Sequence, residues 1–303
     1  MVAALTLALT GATGFVGAQL LDLALSEGHA VRALTRRPQP PRAGVTWVEG
    51  ALDDGDALAA LVAGASAVIH VAGVINARDA AGFEAGNVTG TAAILTATET
   101  AGIKRFVHVS SLAAREPGLS LYGASKARSE TLVSAAPLST AIVRPPAVYG
   151  PGDRETLELF KMAKRGLVML PPPGRLSLIH VADLARLLLA LAVSDAALLL
   201  EPDDGRPGGW THVQFGETLG RAVGGKVRIV SVPRRVLALA ARADRLVRGR
   251  RAKLTPDRAA YFCHPDWTST PARAAPRGMW QAQIDTETGL ADTARWYRAN
   301  AWL

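Results

Sequence analysis

A glycine-rich turn near the start of the chain constrains the fold more than any other feature. Residues 5–9 form a mainly apolar run, as a strand buried in a parallel sheet requires, and a helical pattern follows Gly14. Gly11, Gly14 and Gly17 mark the connection. Residues without a Cβ atom let backbone N–H groups approach a pyrophosphate, and the N-terminus of the next helix favours an anion. The turn therefore predicts a dinucleotide-binding strand-turn-helix unit.

Composition and targeting signals indicate a globular intracellular protein. The 303 residues are 49% hydrophobic and 5% aromatic, which suits one large domain or two. Cys263 is the single cysteine, so an intrachain disulfide and a cysteine-built metal site are excluded, and we expect no metal. No Lys or Arg precedes the first apolar stretch, and Arg186 and Asp195 interrupt the most apolar window, residues 184–200. We expect a cytoplasmic protein without a transmembrane helix.

The end of the second predicted strand, residues 29–35, indicates which dinucleotide binds. An acidic side chain at this position accepts hydrogen bonds from a ribose 2′-hydroxyl, whereas an arginine accommodates a 2′-phosphate. Here Arg36 and Arg37 follow the strand. We predict NADP in preference to NAD, with Arg36 as the main phosphate ligand and Arg37 as a stacking or second contact. The alternative is a pair of solvated surface arginines.

Tyr122 and Lys126 form a Tyr-x-x-x-Lys pair, which lies on one face of a helix. A phenol with a pKa of about 10 exchanges protons poorly at neutral pH unless a nearby cation stabilises the phenolate. We predict that Tyr122 exchanges a proton with a substrate oxygen and that Lys126 stabilises its anion and contacts the nicotinamide ribose. The alternative is a helical pair with only capping and surface roles.

Together these motifs resemble the extended branch of the short-chain dehydrogenase/reductase superfamily, the NAD(P)-dependent epimerase/dehydratase family. Within this family, the sequence most resembles the dihydroflavonol-reductase and 3β-hydroxysteroid-dehydrogenase members. The matching motifs are Thr-Gly-x-x-Gly-x-x-Gly from Thr10, Asn-x-x-Gly-Thr from Asn87, Tyr-x-x-x-Lys from Tyr122, Arg-Pro-x-x-Val-Tyr-Gly-Pro from Arg144 and His-Val-x-Asp from His180.

The resemblance implies an α/β fold with a Rossmann-type, doubly wound parallel sheet and a smaller C-terminal substrate-binding domain. Residues 1–150 would form the NADP-binding domain, to which residues 177–201 return. Residues 151–303 would mainly bind substrate. The helices carrying Asn87 and Tyr122 would pair across a two-fold axis in a homodimer.

The resemblance also implies residue roles. Ser111 would hydrogen-bond the substrate oxygen beside Tyr122 and Lys126, and Asn87 would support the site. Ala51 stands where the family usually has aspartate, so the backbone near Leu52 would hold adenine. The residues expected to contact the cofactor are Gly11, Thr13, Gly14, Phe15, Val16, Gly17, Arg36, Arg37, Leu52, Val71, Ala72, Gly73, Ser110, Tyr122, Lys126, Pro145 and Val148. His70 lies inside an apolar run, and we predict that it is a core histidine.

The catalytic trio does not separate the reactions of this family, but its flanks favour one. Ten residues lie between Ser111 and Tyr122, fewer than epimerases generally have, and Leu176 stands where many sugar-nucleotide enzymes have arginine. The expected cleft walls are mostly apolar. We predict NADP-dependent hydride transfer between the nicotinamide and a hydroxyl or carbonyl group of a small or medium, fairly apolar substrate. The alternatives are a nucleotide-sugar epimerase or dehydratase, and a non-catalytic assembly or regulatory subunit.

The positive charge is concentrated in one segment. Of the net charge of +8, residues 234–253 contribute +7, from seven arginines and one lysine against one aspartate. A uniformly basic nucleic-acid-binding domain is therefore not indicated. Apolar residues recur at helical spacing opposite the arginines in residues 233–253, which favours a lid helix whose apolar stripe faces the core. Contact with an anionic membrane surface, or with an acidic group of a substrate, stays open.

Overall fold

The chain alternates strands and helices over most of its length. The computed structural model describes residues 4–249 and 254–303. The strands are β1 (Thr6–Thr10), β2 (Ala30–Thr35), β3 (Val45–Glu49), β4 (Ala67–His70), β5 (Arg105–Val109), β6 (Ser139–Val143), β7 (Ala147–Tyr149), β8 (Leu167–Leu170), β9 (Arg175–Leu176), β10 (Leu178–His180), β11 (Leu198–Leu200), β12 (Trp210–Thr211), β13 (Arg228–Ser231) and β14 (Asp266–Trp267).

The helices connect and flank these strands. They are α1 (Phe15–Ser26), α2 (Gly55–Val62), α3 (Ala80–Phe83), α4 (Gly90–Thr100), α5 (Leu121–Ala135), α6 (Leu157–Lys164), α7 (Val181–Ala192), α8 (His212–Ala222), α9 (Arg234–Arg248), α10 (Pro256–Phe262) and α11 (Thr286–Ala299). A π-helical stretch, Glu84–Thr89, joins α3 to α4. Within residues 4–249 and 254–303, no helix is both long enough and apolar enough to cross a bilayer.

Seven parallel strands form the central sheet, in the order β3-β2-β1-β4-β5-β6-β11. Strands β2 and β3 are added on one side of β1, and β4, β5, β6 and β11 are added on the other side. The strand order therefore reverses between β1 and β4, and this reversal creates a crevice at the carboxyl ends of the two strands. Both faces are covered, so the strands are apolar on both sides. In β1, Leu7 and Leu9 pack with α1 and α7, whereas Ala8 packs in the core that contains α2 and α4. The predicted doubly wound α/β fold is confirmed.

A third apolar core lies outside the central sheet. It contains Tyr149 from β7, Phe160 from α6, Leu219 from α8 and Tyr297 from α11, all fully buried. β7 pairs with β10, and β8 pairs with β13. After β10 the chain returns to the central sheet, because α7 packs on α1 and β11 pairs with β6. The boundary between two domains stays a prediction.

The basic helix is oriented differently from the prediction. α9 packs on α10, and the apolar α9 residues shielded from solvent are Ala241, which is fully buried, and Leu237 and Ala238, which are half-buried. Its exposed large apolar side chains are Val236, Leu239, Leu246 and Val247. The expected core-facing stripe is therefore wrong, because the residues that contact the protein belong mainly to the adjacent alanine-rich face. The end of the predicted segment, residues 250–253, lies outside the described residues.

Asp183 links α7 to the loop before α11. Its carboxylate is 1% exposed and accepts hydrogen bonds from the backbone N–H groups of Gln283, at 2.9 Å, and Ile284, at 3.1 Å. Arg186 also donates to it. The indole N–H of Trp280 donates to the Asp183 carbonyl at 3.0 Å. One carboxylate thus holds a segment that contains no regular secondary structure of its own.

We predict that Asp183→Ala lowers the free energy of unfolding by about 2–4 kcal/mol, because two amide donors in a water-poor contact lose their acceptor. Urea unfolding measures the change. Asp292→Ala is the matched control, since Asp292 pairs with Arg295 at the surface, and its effect should stay within about 0.5 kcal/mol. Equal stability of the two variants would contradict the role given to Asp183.

Candidate active site

The glycine turn adopts the shape that a pyrophosphate site needs. Gly11 has a φ of +76°, and a Cβ atom there would lie 2.8 Å from the Ala72 nitrogen. Gly17 packs still closer, because its Cβ would lie 2.0 Å from the Gly11 carbonyl oxygen. Gly14 is the N-cap of α1, which has no side-chain cap and no acidic residue in its first turn. The first N–H groups of α1 are therefore available to an anion, and Thr13 and Phe15 flank them.

The exit of β4 is fastened to this turn. Thr10 Oγ1 accepts the Ala72 N–H at 3.1 Å and lies 2.7 Å from His70 Nδ1. His70 Nε2 lies 3.1 Å from the Thr91 hydroxyl, and burial lowers the histidine pKa to about 3. His70 is a satisfied core histidine, as predicted. It positions the segment Val71, Ala72 and Gly73, which runs over the expected cofactor site.

Arg36 and Arg37 are exposed on the loop after β2. The pairing of Leu9 with Ala33 places this loop at the same sheet edge as the glycine turn. The Thr35 hydroxyl donates to the Arg37 carbonyl at 2.7 Å and so shapes the loop. Leu52 follows β3 at this edge and is half-buried. The structure thus brings together the elements expected to hold the adenosine half.

The predicted catalytic residues converge on one cavity. Ser111 is the N-cap of the 3₁₀ turn Leu112–Arg115, and its hydroxyl accepts the Ala113 N–H at 3.2 Å. Tyr122 and Lys126 lie one turn apart on α5, whose N-cap is Ser120. The cavity measures about 180 Å³ and is lined by Val16, Val71, Gly73, Val74, Ile75, Asn87, Val109, Ser110, Ser111, Tyr122, Lys126, Pro145, Pro146 and Val148.

A larger depression, of about 320 Å³, lies elsewhere beside Met279 and Trp280, and none of the predicted site residues lines it. The smaller cavity is the candidate catalytic site, because a phenol, an ammonium and a hydroxyl group meet there. Its other walls are mainly aliphatic side chains and proline rings. The cavity can therefore place a polar reacting group in a largely apolar setting.

The pKa values of Tyr122 and Lys126 differ from the ordinary values of a phenol and an ammonium group. Burial raises the pKa of the Tyr122 phenol above its ordinary value, and a hydrogen bond with Ser111 acts in the opposite direction. Desolvation of the phenol is the larger of these two influences, and the predicted stabilisation of the phenolate by Lys126 stays a prediction. Burial also lowers the pKa of Lys126 to about 8, although the negative charge of Glu130 raises it. The Lys126 ammonium donates to the Val109 carbonyl at 2.8 Å.

Asn87 lies in the π-helical stretch and supports the cavity from the side. Its Oδ1 accepts the Val74 N–H at 2.6 Å, and its Nδ2 donates to the Val74 carbonyl and to Ser125 Oγ, both at 2.9 Å. A wider helical turn is a common feature of functional sites. Asn87 thus fastens the chain after Gly73 to α5, the helix of Tyr122 and Lys126.

The sequence analysis missed a buried charge network beneath the site. Glu130 accepts the Ser110 hydroxyl at 2.5 Å and a bidentate pair of hydrogen bonds from Arg144, at 2.8 and 2.6 Å. Arg144 also donates to Glu201 at 3.2 Å. Ser110 therefore faces this network. The signal was present, because Tyr122, Lys126 and Glu130 are spaced by four residues and share one helix face.

These features fit a dinucleotide. The uncapped start of α1 suits the pyrophosphate, and the lack of side chains at the turn leaves room for it. A Cβ atom on Gly73 would lie 3.1 Å from Asn87 Oδ1, so the glycine keeps this wall of the cavity free of a side chain that would press on Asn87. The residues that would hold the nicotinamide half are those of the cavity, including Pro145 and Val148.

Comparisons with known proteins identify the family of the chain. The sequence model of the NAD dependent epimerase/dehydratase family matches residues 7–198. The chain is 39% identical over 305 residues to a ceramide reductase from Caulobacter vibrioides, covering 98% of this chain and 95% of that protein. It is 30% identical over 190 residues to a 3 beta-hydroxysteroid dehydrogenase/Delta 5-->4-isomerase from Mycobacterium tuberculosis, covering 52% and 51% of the two chains.

Among solved structures, the chain is similar to MoeE5 in complex with UDP-glucose and NAD. The TM-score is 0.77 at 23% identity, with 98% of this chain and 99% of that chain covered. This likeness shows the fold alone. The family match and the two enzyme relatives confirm the resemblance that the motifs predicted, and they show that the chain is an enzyme.

We predict that Lys126 titrates near pH 8 and that Glu130→Gln moves its midpoint lower, because the carboxylate that favours the ammonium is removed. Carbon-13 NMR of labelled lysine side chains measures both midpoints, and Lys126→Met identifies the resonance. Glu158→Gln is the control, since Glu158 pairs with Lys161 at the surface. An unmoved Lys126 midpoint in Glu130→Gln would contradict the coupling.

Proposed function

This chain belongs to the NAD-dependent epimerase/dehydratase family, and we propose that it is an NADP-dependent oxidoreductase that acts on a hydroxyl or carbonyl group of an apolar substrate. The observation that carries the proposal is the convergence of Ser111, Tyr122 and Lys126 on one cavity with mainly apolar walls. The nicotinamide, when bound, supplies the hydride chemistry. The protein provides orientation, a proton and a polar contact for the reacting oxygen.

In the reductive direction, Tyr122 donates its hydroxyl proton to the carbonyl oxygen of the substrate, and Ser111 hydrogen-bonds the same oxygen. The raised pKa of Tyr122 keeps the phenol protonated at neutral pH, so its proton is present when the strongly basic alkoxide forms on the substrate. Lys126, largely protonated at pH 7, stabilises the tyrosinate that forms and binds the ribose hydroxyl groups. Reduction of a ketone to an alcohol is therefore the direction that we favour.

We extend the substrate class from a small or medium apolar molecule to a lipid ketone. The Caulobacter protein, which is similar along nearly the whole chain, is named a ceramide reductase. Ile75, which lines the cavity, and Leu121, which precedes Tyr122 in the chain, are both exposed, and we take them as an apolar rim. A carbonyl carried on a long aliphatic chain would place its polar group at Tyr122 and its chain along this apolar rim.

A nucleotide-sugar substrate is less compatible with these residues. Leu176 is half-buried in β9 and carries no charge. The neighbouring Arg175 donates to the Gly208 carbonyl at 2.6 Å and to the Gly209 carbonyl at 3.4 Å, so its guanidinium holds a loop. No arginine of β9 therefore offers a clamp for a sugar diphosphate.

We predict that Tyr122→Phe lowers turnover of ketones by about 100-fold or more and leaves NADPH binding nearly unchanged, because only the proton donor is lost. A panel of ketones of increasing chain length, monitored by NADPH absorbance, measures the effect. Tyr149→Phe is the control, since Tyr149 lies in the third core and does not line the cavity. Equal turnover by Tyr122→Phe and wild type would refute the assignment.

We predict that Arg36→Ala weakens NADPH binding about 10- to 100-fold, because a charge-assisted contact with the 2′-phosphate is lost, and leaves NADH binding nearly unchanged. Fluorescence titration with each dinucleotide measures the two dissociation constants. Arg42→Ala is the matched control, as Arg42 pairs with Asp22 at 2.8 Å on the same surface. A wild type that prefers NADH, or a parallel change in both constants, would overturn the preference.

We also propose a homodimer formed by α4 and α5, the helices next to the site. The exposed surface is polar near the middle of α5, where Arg128 makes a bidentate ion pair with Glu84 of the π-helical stretch that precedes α4. Small-angle scattering or ultracentrifugation should give twice the chain mass of 31.7 kDa. A monomer at working concentration would remove this proposal.

A further inference from the structure

Helix α9 exposes a continuous apolar surface that residues 4–249 and 254–303 leave uncovered. Leu246 and Val247 are 86% and 84% exposed, and Leu239 and Val236 are 63% and 49% exposed. Ala240 and Ala243 are exposed between them. At about 100° per residue these six side chains lie within an arc of about 120°. We call this surface the α9 apolar arc.

Arginines border the α9 apolar arc on one side. Arg235 and Arg242 are exposed and follow Leu246 around the helix by about 20–40°. On the other side, the helix contacts the protein through Leu237 and Ala241. The arc therefore faces away from the body of the protein with cationic groups beside it.

We propose that α9 docks on the surface of an anionic lipid bilayer. The α9 apolar arc would enter the boundary between headgroups and acyl chains, while Arg235 and Arg242 would lie among the lipid phosphates. An apolar strip with a basic border is the pattern that such a surface recognises. A second copy of this chain fits less well at this surface, because the arginines that border the two arcs would repel each other.

The docking helix is one helix away from the catalytic cavity. α10 packs on α9, and the α10 residue Asp257 accepts the backbone N–H of Leu121 at 2.7 Å. Leu121 precedes Tyr122. Docking through α9 would thus hold the apolar rim formed by Ile75 and Leu121 close to the membrane, where a lipid ketone resides. This step rests on the proposed function, whereas the docking itself rests only on exposure and charge.

Vesicle flotation tests the docking without any substrate. The full chain should bind vesicles of phosphatidylcholine mixed with phosphatidylglycerol at low salt, and bind phosphatidylcholine alone weakly. Leu246→Asn/Val247→Asn and Arg235→Gln/Arg242→Gln should each weaken binding by about tenfold or more. The controls are Val213→Asn and Lys164→Gln/Arg165→Gln, which change exposed side chains outside α9 and should bind like wild type.

Three results would overturn the docking proposal. One is no binding of wild type to the anionic vesicles at low salt, with circular dichroism showing a folded protein. Another is a self-association, seen by ultracentrifugation, that Leu246→Asn/Val247→Asn abolishes while this variant still binds vesicles. That result would assign the α9 apolar arc to contact with a second copy. Vesicle binding that both α9 double variants retain would also contradict docking through α9.

An activity comparison separates this inference from the proposed function. A water-soluble short-chain ketone and a long-chain ketone embedded in anionic vesicles are both offered with NADPH. The α9 double variants should keep the short-chain rate and lose most of the vesicle rate. No short-chain or vesicle turnover by wild type would refute the proposed function alone. Equal vesicle rates for wild type and the α9 variants would refute the coupling of docking to catalysis.

Discussion

The close approach of two backbone segments, the Gly11 turn and the exit of β4, is the contact on which the site depends. Gly11 lies where a Cβ atom would collide with the Ala72 nitrogen, and the Thr10 hydroxyl accepts the N–H of that same residue. The strand order of the sheet also reverses between β1 and β4. A single tight contact therefore sets the crevice, the start of α1 and the segment that overlies the cavity.

Buried charge then sets the chemical character of the cavity. Desolvation acts on both catalytic groups, raising the pKa of Tyr122 and lowering that of Lys126 to about 8. Glu130 opposes the effect on Lys126, and Arg144 holds Glu130 through two hydrogen bonds. A lone buried carboxylate would be unfavourable, so the arginine is what allows a negative charge to remain beneath the site. The result is a protonated phenol beside a lysine whose charge is sensitive to pH in the neutral to weakly basic range.

The surface of the molecule adds a second constraint. An apolar strip on α9 faces outward beside arginines, and α10 connects that helix to the residue before Tyr122. In a reductase of lipid ketones, a bilayer contact at this place would bring the substrate and the cavity together. Five of the seven arginines of the basic segment 234–253 belong to this helix.

The sequence by itself determined the fold class and the identity of the candidate catalytic residues. Apolar runs joined by Gly11, Gly14 and Gly17 specify a parallel sheet with a ligand-binding turn, and Tyr-x-x-x-Lys specifies two side chains on one helix face; both are local patterns. Only the tertiary structure decided the direction of the Tyr122 pKa shift, the Glu130–Arg144 network and the outward face of α9. Desolvation depends on everything packed around a group, and Arg144 reaches Glu130 from a different element. Helical periodicity shows that a helix has an apolar face, but neighbouring elements decide whether that face is covered.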